Sequence, residues 1–593
     1  MKPTSEAALA PQSSATGPRL LLALALLLTA LAYIATLGFQ FVNDDGSQIV
    51  LNRRLESWSY VPSYFQEHVW AHMQGRREGN YYRPVFLLWL LVNRTLFGLN
   101  PMAWHASSLV LHLAVTLMVG RLALAISRDA WLAAFAALIF GLHPVHIEAV
   151  AWVSSASDPL AALFACSAFL FWLCARQEAR RPLWPVLSLL SYALALLTKE
   201  SVIVLPLMIA LYAWMTDSSP GTVVRALRQS LPYWLLTLLY LPVRFLALGK
   251  LGNAVTPVTW ETVLWTLPSV VWFYARKLLL PVGLSAFYDS PFVTSPGFAS
   301  FVLPLLALLA LAAVAALCWR RWPSPALAAG LVWLLPILPV LNLPAFRFTQ
   351  MVGDRYLYLP SVGFVMLVAL AVRRIRLGRR LRFGLPAGQV AILLLLLVLL
   401  GAGTAAQAPH WATNLLLYSR GVEIAPQNVL ARAFLANELL DRGQTELAIS
   451  LYREILAVDP NYWWGNFSLG ITYYRLGDFA QAERLLSRAI QADPRNSMQF
   501  LYLGLVRRSQ GDLPQAQAAM EYAIRLDPDV AGYHTILAEV LEQRGDLEGA
   551  LRLYREEAAL FPRDPDAAER VRQAEARLHQ SRQKHTDTLE NKP

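Results

Sequence analysis

The sequence predicts an all-α protein in two parts: a polytopic helical membrane unit of about eleven spans, then an α-solenoid. Three observations carry this. Of 593 residues 56% are hydrophobic and 15% charged, and the apolar excess sits in long runs before about residue 407, more than a soluble domain carries. Arginines cluster in the short loops between those runs. Beyond residue 407 the composition turns polar, and proline recurs at a fixed interval.

A helix needs roughly 20 apolar residues to cross a bilayer. By that ruler the spans fall near 19–41, 103–126, 130–147, 150–174, 184–199, 201–215, 231–249, 298–319, 325–343, 357–372 and 386–407. The first is too long for a signal-peptide core and has no small-residue cleavage site, so it reads as an anchor behind a cytoplasmic tail of residues 1–18. Two further apolar stretches, Pro84–Phe97 and Val263–Leu280, are read as interfacial or re-entrant helices. If either crossed alone, the arginine clusters downstream of it would face outward, against the positive-inside rule. Those clusters are Arg176, Arg180 and Arg181; Arg225 and Arg228; Arg320 and Arg321; and Arg373, Arg374, Arg376, Arg379, Arg380 and Arg382. With eleven crossings all of them are cytoplasmic. The segment 42–102, the span ends around 143–158 and 199–200, the loops 281–297 and 343–356 and everything after 407 are then extracytoplasmic. The net charge of +11 is thus a membrane-topology signal, and no nucleic-acid partner is expected. Three cysteines, Cys166, Cys174 and Cys318, all lie in apolar segments, which excludes a disulfide framework and a CxxC metal site.

The solenoid follows from arithmetic. Pro426, Pro460, Pro494, Pro528 and Pro562 are 34 residues apart, as are Gly443, Gly477, Gly511 and Gly545, and Ala448, Ala482, Ala516 and Ala550. That period, with small residues where two helices cross, is the tetratricopeptide signature. Repeats are assigned to 408–579 and a disordered polar tail to 580–593, behind a membrane domain at 19–407. Stacked repeats form a concave groove suited to a protein or peptide. Tyr462, Trp463, Trp464 and Tyr473 are either contacts in that groove or packing between repeats.

Polar residues at the outer ends of the spans are where chemistry is expected, because ionisable groups near hydrocarbon are costly. Asp44 and Asp45 directly follow the first span, in Phe41-Val42-Asn43-Asp44-Asp45-Gly46. They fit a general base or a cation site, or a solvated turn that ends a helix. Arg83, in Asn80-Tyr81-Tyr82-Arg83-Pro84, fits a lipid phosphate or an ordinary headgroup anchor. His143, His146 and Glu148, in Gly141-Leu142-His143-Pro144-Val145-His146-Ile147-Glu148-Ala149-Val150, would suit proton transfer or metal ligation, but Pro144 prevents a shared helical face from being assumed. Asp158-Pro159 reads as a turn. Lys199, in Thr198-Lys199-Glu200, is a phosphate ligand or a self-paired ion couple with Glu200. Arg355 stands between Asp354 and Tyr356-Leu357-Tyr358-Leu359-Pro360. Walker loop, GxGxxG and GxSxG strings are absent, which removes the main support for an ATP-driven pump, a Rossmann enzyme and an α/β-hydrolase.

In this order, Phe41-Val42-Asn43-Asp44-Asp45, Tyr82-Arg83-Pro84, His143-Pro144-Val145-His146-Ile147-Glu148-Ala149-Val150, Thr198-Lys199-Glu200 and Arg355-Tyr356-Leu357-Tyr358-Leu359-Pro360 resemble the transmembrane and tetratricopeptide-repeat-containing O-mannosyltransferases and their bacterial relatives. The resemblance covers nearly the whole chain and implies a type C glycosyltransferase membrane fold. It implies inverting transfer of mannose from a polyprenyl-phosphate donor to a protein hydroxyl, with Asp44 as base and Asp45 as its neighbour. Arg83, Lys199 and Arg355, with His143, His146 and Glu148 beside them, would bind donor phosphate and substrate. Asn43 before the acid pair departs from the family pattern. No cofactor is required for a phosphate leaving group, although a divalent cation is compatible with one. The expected partners are the lipid-linked sugar, a protein or peptide acceptor in the repeat groove and membrane lipids. The expected location is a bacterial inner membrane, or the endoplasmic reticulum membrane in a eukaryote. Two rivals stand beside this. An O-antigen ligase or polymerase-like enzyme would need an outer loop rich in arginine and histidine late in the membrane part. A membrane-anchored repeat scaffold would leave eleven spans and their polar ends unexplained.

Overall fold

A computed structural model describes residues 16–73, 81–178, 181–217, 219–250, 258–346, 350–379, 381, 384–562 and 564–590. Most of the 1–18 tail, Asn80, Arg180, Arg380 and Arg382 lie outside the described residues. Among the described residues every extended element is a helix and no strand forms. The chain divides into two compact units, one ending at Asn428 and the other running from Val429 onward.

In the first unit each of the eleven predicted spans is helical, but they are unequal. Six helices are long and apolar enough to cross a membrane: Thr16–Gly38, Pro101–Ser127, Val153–Gln177, Thr222–Leu248, Phe298–Arg321 and Ala387–Trp411. A seventh crossing is reached if Ala130–Leu142 and Pro144–Ala151, bent by 53°, form one broken span. Leu183–Thr198, Glu200–Thr216 and Pro325–Leu341 are shorter apolar helices, as is Pro84–Phe97. Ser361–Arg374 has 14 residues. The count of eleven is therefore not reached by length and composition. Pro336 and Pro339 show one reason: neither has an N–H to donate, and residues 335–341 wind as a tight 3-10 turn after an α-helix of only eight residues.

Packing sorts these helices. Phe298–Arg321 exposes its leucines (Leu306 54%, Leu309 56%) and buries only Pro304 of its last 19 residues, the signature of a surface facing lipid. Ala130–Leu142 is the opposite, buried from Leu132 onward. Pro325–Val332 and Ser361–Arg374 cross at Gly330 and Gly363, so closely that a Cβ on Gly363 would meet the Gly330 carbonyl oxygen. The segment 408–428, predicted as the opening of the repeats, packs within this unit. The Asn414 side chain accepts from the Asn43 N–H at 2.8 Å, and the Trp411 and Trp152 rings stack at 6.2 Å.

The second unit contains four helical hairpins, Val429–Asp441 with Thr445–Val458, Trp463–Arg475 with Phe479–Ala492, Ser497–Ser509 with Leu513–Leu526 and Tyr533–Gln543 with Leu547–Leu560. A last helix, Pro565–Glu590, runs through most of the predicted polar tail. The 34-residue period has a local cause. Gly443, Gly477, Gly511 and Gly545 hold φ between +76° and +86°, closing the first helix of each hairpin in a left-handed turn that a side chain would strain. Asp478, Asp512 and Asp546 then cap the second helix by accepting an N–H three residues on. Ala448, Ala482, Ala516 and Ala550 are fully buried at the crossings. Trp463, Trp464 and Tyr473 pack around the buried Phe467 cluster, and Trp464 meets Phe434 edge-on at 5.1 Å, which favours the packing reading for these residues.

Candidate active site

The first span ends at Gly38, and the chain turns sharply before the acid pair. Asn43 makes that turn with φ +54°, a left-handed conformation that asparagine tolerates better than most residues. Beyond it the two aspartates differ. Asp44 is half-buried, and its backbone oxygen accepts from the Gln48 N–H at 2.7 Å and the Ser47 hydroxyl at 3.1 Å. Asp45 is fully buried: its Oδ1 accepts from the Ser154 N–H at 2.7 Å and the Ser154 hydroxyl at 2.5 Å, and its Oδ2 from the Val42 N–H at 3.1 Å. Burial pushes the Asp45 carboxyl up to about 7; the Ser154 and Val42 donors oppose this, and the neighbouring Asp44 charge adds to it. The Asp45 carboxylate is thus anchored by three donors, while Asp44 stays half-buried beside it.

Ser154 belongs to a short strap, residues 143–158, that links Ala130–Leu142 to the long helix Ser157–Gln177 and takes in its first turn. Pro144 ends the first helix, and His143 is extended (φ −71°, ψ 121°), as a residue before proline prefers. Both histidines mend this break. His143 donates from Nε2 to the Leu278 carbonyl at 3.1 Å and accepts the Val145 N–H at Nδ1. His146 directs Nδ1 to the Phe140 carbonyl at 2.9 Å and has the Ser361 hydroxyl at 2.8 Å from Nε2. Each ring nitrogen is therefore engaged within the protein. Among the described residues no three His, Cys, Asp or Glu side chains gather in a way that could hold a metal ion.

The remaining predicted residues converge through carboxylates. Arg355 donates to Glu148 at 2.6 Å from its guanidinium and at 2.9 Å from its N–H. Lys199 donates to Asp158 at 2.5 Å, with both side chains buried. Arg83 forks onto Glu200 at 2.7 and 3.2 Å. The alternative of a Lys199–Glu200 couple is therefore not what forms: each member pairs with a residue distant in sequence. Lys199 lies within electrostatic reach of both Arg83 and Arg355, and Asp158 within reach of both arginines. Aromatic faces line the group. Arg83 lies over Tyr81 at 4.5 Å, Arg355 over Trp152 and Tyr356 at 5.0 Å each, and Lys199 over Tyr356 at 5.5 Å.

The strap thus supplies Glu148, Ser154 and Asp158, and through them holds Arg355, Asp45 and Lys199. Sequence reasoning missed Ser154 and read Asp158 only as a turn. A buried-partner requirement for the charges of Lys199 and Arg355 was the available signal. It also missed Asp354, whose Oδ2 accepts from the Tyr288 hydroxyl at 2.6 Å and the Ser285 N–H at 3.2 Å. Burial and the nearby Glu148 charge push that carboxyl up to about 7, against the pull of Lys277.

Family models of the tetratricopeptide repeat match residues 439–500 and 501–565. Over most of its length the chain is similar to curated protein O-mannosyl-transferases. It is 26% identical to F38B6.6 of Caenorhabditis elegans over 73% of this chain and 62% of that protein. It is 28% identical to human TMTC1 over 73% and 54%, and 26% identical to mouse TMTC3 over 77% and 53%. The chain therefore spans between about half and three-fifths of the length of these relatives. Among solved structures, a thermophilic tetratricopeptide-repeat protein of Thermus thermophilus matches 29% of this chain and 92% of its own, at 28% identity and a TM-score of 0.25.

Proposed function

We propose that the chain is an inverting protein O-mannosyltransferase that moves mannose from a polyprenyl-phosphate donor to a hydroxyl of a protein acceptor. The observation that carries this reading is the adjacency of the half-buried Asp44 and the anchored Asp45, tied to a strap that also holds Lys199 and Arg355. The relatives' names supply the sugar and the acceptor class.

The chemistry is a single displacement. Asp44 takes the proton of the acceptor hydroxyl as its oxygen attacks the anomeric carbon from the face opposite the phosphate. The bond from that carbon to the phosphate oxygen breaks, and the electron pair leaves on the polyprenyl phosphate. Arg83, Lys199 and Arg355 neutralise the leaving group, arginine forks suiting phosphate oxygens best. Glu148 holds Arg355, while His143 and His146 keep the broken helix in shape. Asp45 acts through Ser154, fixing the turn from which Asp44 projects. The reaction does not call for a metal, although a divalent cation beside the phosphate is compatible with it.

The site then lies on the extracytoplasmic side of a multi-pass protein of the bacterial inner membrane. The repeats bind the acceptor there and raise its effective concentration. The test is direct: purified protein, polyprenyl-phosphate-mannose and a panel of protein acceptors, with mass spectrometry of the products. Transfer of a hexose to serine or threonine supports the reading. Donor left intact with every acceptor sinks it, and the membrane-anchored scaffold then leads. A reporter active only in the cytoplasm, fused after Pro593, should be silent.

A further inference from the structure

The turn that carries Asp44 is strained at one residue. Asn43 takes φ +54°, a left-handed conformation that is unfavourable for any residue with a Cβ. Such a residue persists only where its surroundings hold it in place. Two holds come from the turn itself: the Asp45 N–H donates to the Val42 carbonyl at 3.1 Å, and the Asp45 Oδ2 accepts the Val42 N–H at 3.1 Å. Neither of these bonds engages residue 43.

The hold on Asn43 comes from 371 residues along the chain. The Asn414 side-chain oxygen accepts the Asn43 N–H at 2.8 Å, and the Ala412 carbonyl accepts the Gln40 N–H at 3.1 Å. Residues 412–414 thus grip the chain at two points just before Asp44. They are themselves firmly seated. Asn414 opens the helix Asn414–Ile424, which Thr413 caps by accepting the Leu416 N–H. Trp411 and Leu417 are buried, and Trp411 stacks on Trp152 of the strap. Further on, the segment is tied to the loop 281–297: the Arg420 Nε donates to the Leu284 carbonyl at 3.5 Å, and the Asn428 Nδ2 to the Tyr288 carbonyl at 3.1 Å. All of these residues belong to the first compact unit, and the repeat matches begin only at residue 439.

We propose that Asn414 is a positioning residue for Asp44: by holding the Asn43 amide it fixes the left-handed turn that aims the acid at the acceptor hydroxyl. This rests on the assignment of Asp44 as base. An asparagine suits the task, because its amide oxygen reaches a backbone N–H without bringing a charge beside the acid. A misplacement of about 1 Å can cost about 100-fold in rate. The cations assigned to the donor, Arg83, Lys199 and Arg355, are held by carboxylates elsewhere, so losing the Asn43 bond leaves donor binding in place.

The experiment uses the full chain in lipid nanodiscs, with polyprenyl-phosphate-mannose and a hydroxylated peptide acceptor, and four forms: wild type, Asp44→Asn, Asn414→Ala and Asn414→Asp. For each, kcat per folded molecule, both KM values and hydrogen–deuterium exchange over residues 39–48 are measured. Asn414→Ala should lower kcat about 10- to 100-fold, keep both KM values within about threefold of wild type and speed the exchange. Asn414→Asp keeps an acceptor oxygen at the same reach, and a carboxylate is tolerated at a helix start. At about pH 8, where both carboxylates are ionised, it should hold kcat within about fivefold of wild type and keep the exchange slow. An asparagine that only stabilised the fold would change the amount of folded enzyme and leave kcat per folded molecule alone. Unchanged kcat in Asn414→Ala, or Asn414→Asp no better than Asn414→Ala, overturns the proposal. Exchange already as fast in wild type as in Asn414→Ala overturns it too. If Asn414→Ala does not fold, Asn414→Ser decides: its hydroxyl is too short to reach Asn43, so the same loss is expected, and a wild-type kcat overturns the idea. Asp44→Asn inert beside a fully active Asn414→Ala defeats this proposal alone. Asp44→Asn at full rate defeats the base assignment and the proposal with it, and wild type that transfers nothing defeats the transferase reading and both.

Discussion

Replacing Asp44 with asparagine keeps size and hydrogen bonding but removes a proton acceptor. Loss of a general base costs about 10²–10⁴-fold in rate. Asp45→Asn is a different perturbation with a magnitude set by its surroundings. The amide oxygen can keep the two Ser154 donors, but its NH2 group then faces the Val42 N–H that Oδ2 accepts at 3.1 Å. The Val42 N–H loses its acceptor and the new amide donors face it, and each buried donor left unmet is worth about 1–3 kcal/mol of stability. That is a fraction of the roughly 5–15 kcal/mol that holds a typical domain folded, so Asp45→Asn should remain folded with lowered thermal stability and a milder rate loss. The assay is the initial rate of mannose transfer in nanodiscs, normalised to folded protein by thermal unfolding. Asp44→Asn should unfold like wild type and be nearly inactive. The reversed ranking would move the base to Asp45 and keep the mechanism. A double variant with wild-type rate would falsify any role for this loop in catalysis.

Three further outcomes follow from geometry. Burial raises the Asp45 and Asp354 carboxyls from the ordinary aspartate range to about 7, so each contributes stability that is full below about pH 4 and lost as pH rises through about 7. Thermal stability should therefore fall across that window, and Asp354→Asn should flatten part of the fall; an unchanged slope refutes the assignment. Gly363→Ala drives a Cβ into the Gly330 carbonyl and within 2.9 Å of Trp333, so it should destabilise by about 1–3 kcal/mol, read as a lowered unfolding temperature. Truncation after Asn428, where the first compact unit ends, should leave that unit folded and active on a short hydroxylated peptide while impairing the native protein acceptor. Undiminished transfer to that acceptor would remove the repeats from the reaction.

What was legible in the sequence was whatever repeats or runs. A 34-residue period is visible because each hairpin needs its own left-handed glycine and buried alanine, and apolar runs locate helices without reference to anything else. Span number was less legible, because Leu183–Thr198, Glu200–Thr216 and the proline-broken 325–341 are apolar enough to be read as crossings yet short as helices. The polar residues could be selected one by one, since a charge near hydrocarbon is conspicuous. Their pairing could not. Arg83 and Glu200 are 117 residues apart, Glu148 and Arg355 are 207, and Asp158 and Lys199 are 41. Adjacency misled at Lys199-Glu200, where chain neighbours point to different partners. The opening of the repeats was also misjudged by composition: residues 408–428 look like solenoid, but Trp411, Leu417 and Tyr418 are buried in the first unit.

The strap between the broken helix and the next long one binds Glu148 to Arg355 and, six residues on, Ser154 to Asp45. It is compact: residues 144–151 and 153–155 are wound into helical turns on either side of an extended Trp152, and all are buried. A displacement of Glu148 is therefore expected to be passed along the strap toward Ser154. On the proposed assignment, occupancy of the phosphate cations and the set of the acid turn would be linked through this strap. A filled donor site would sharpen the acid's aim, and an empty one would leave it slack, so an acceptor arriving first would meet an uncocked base.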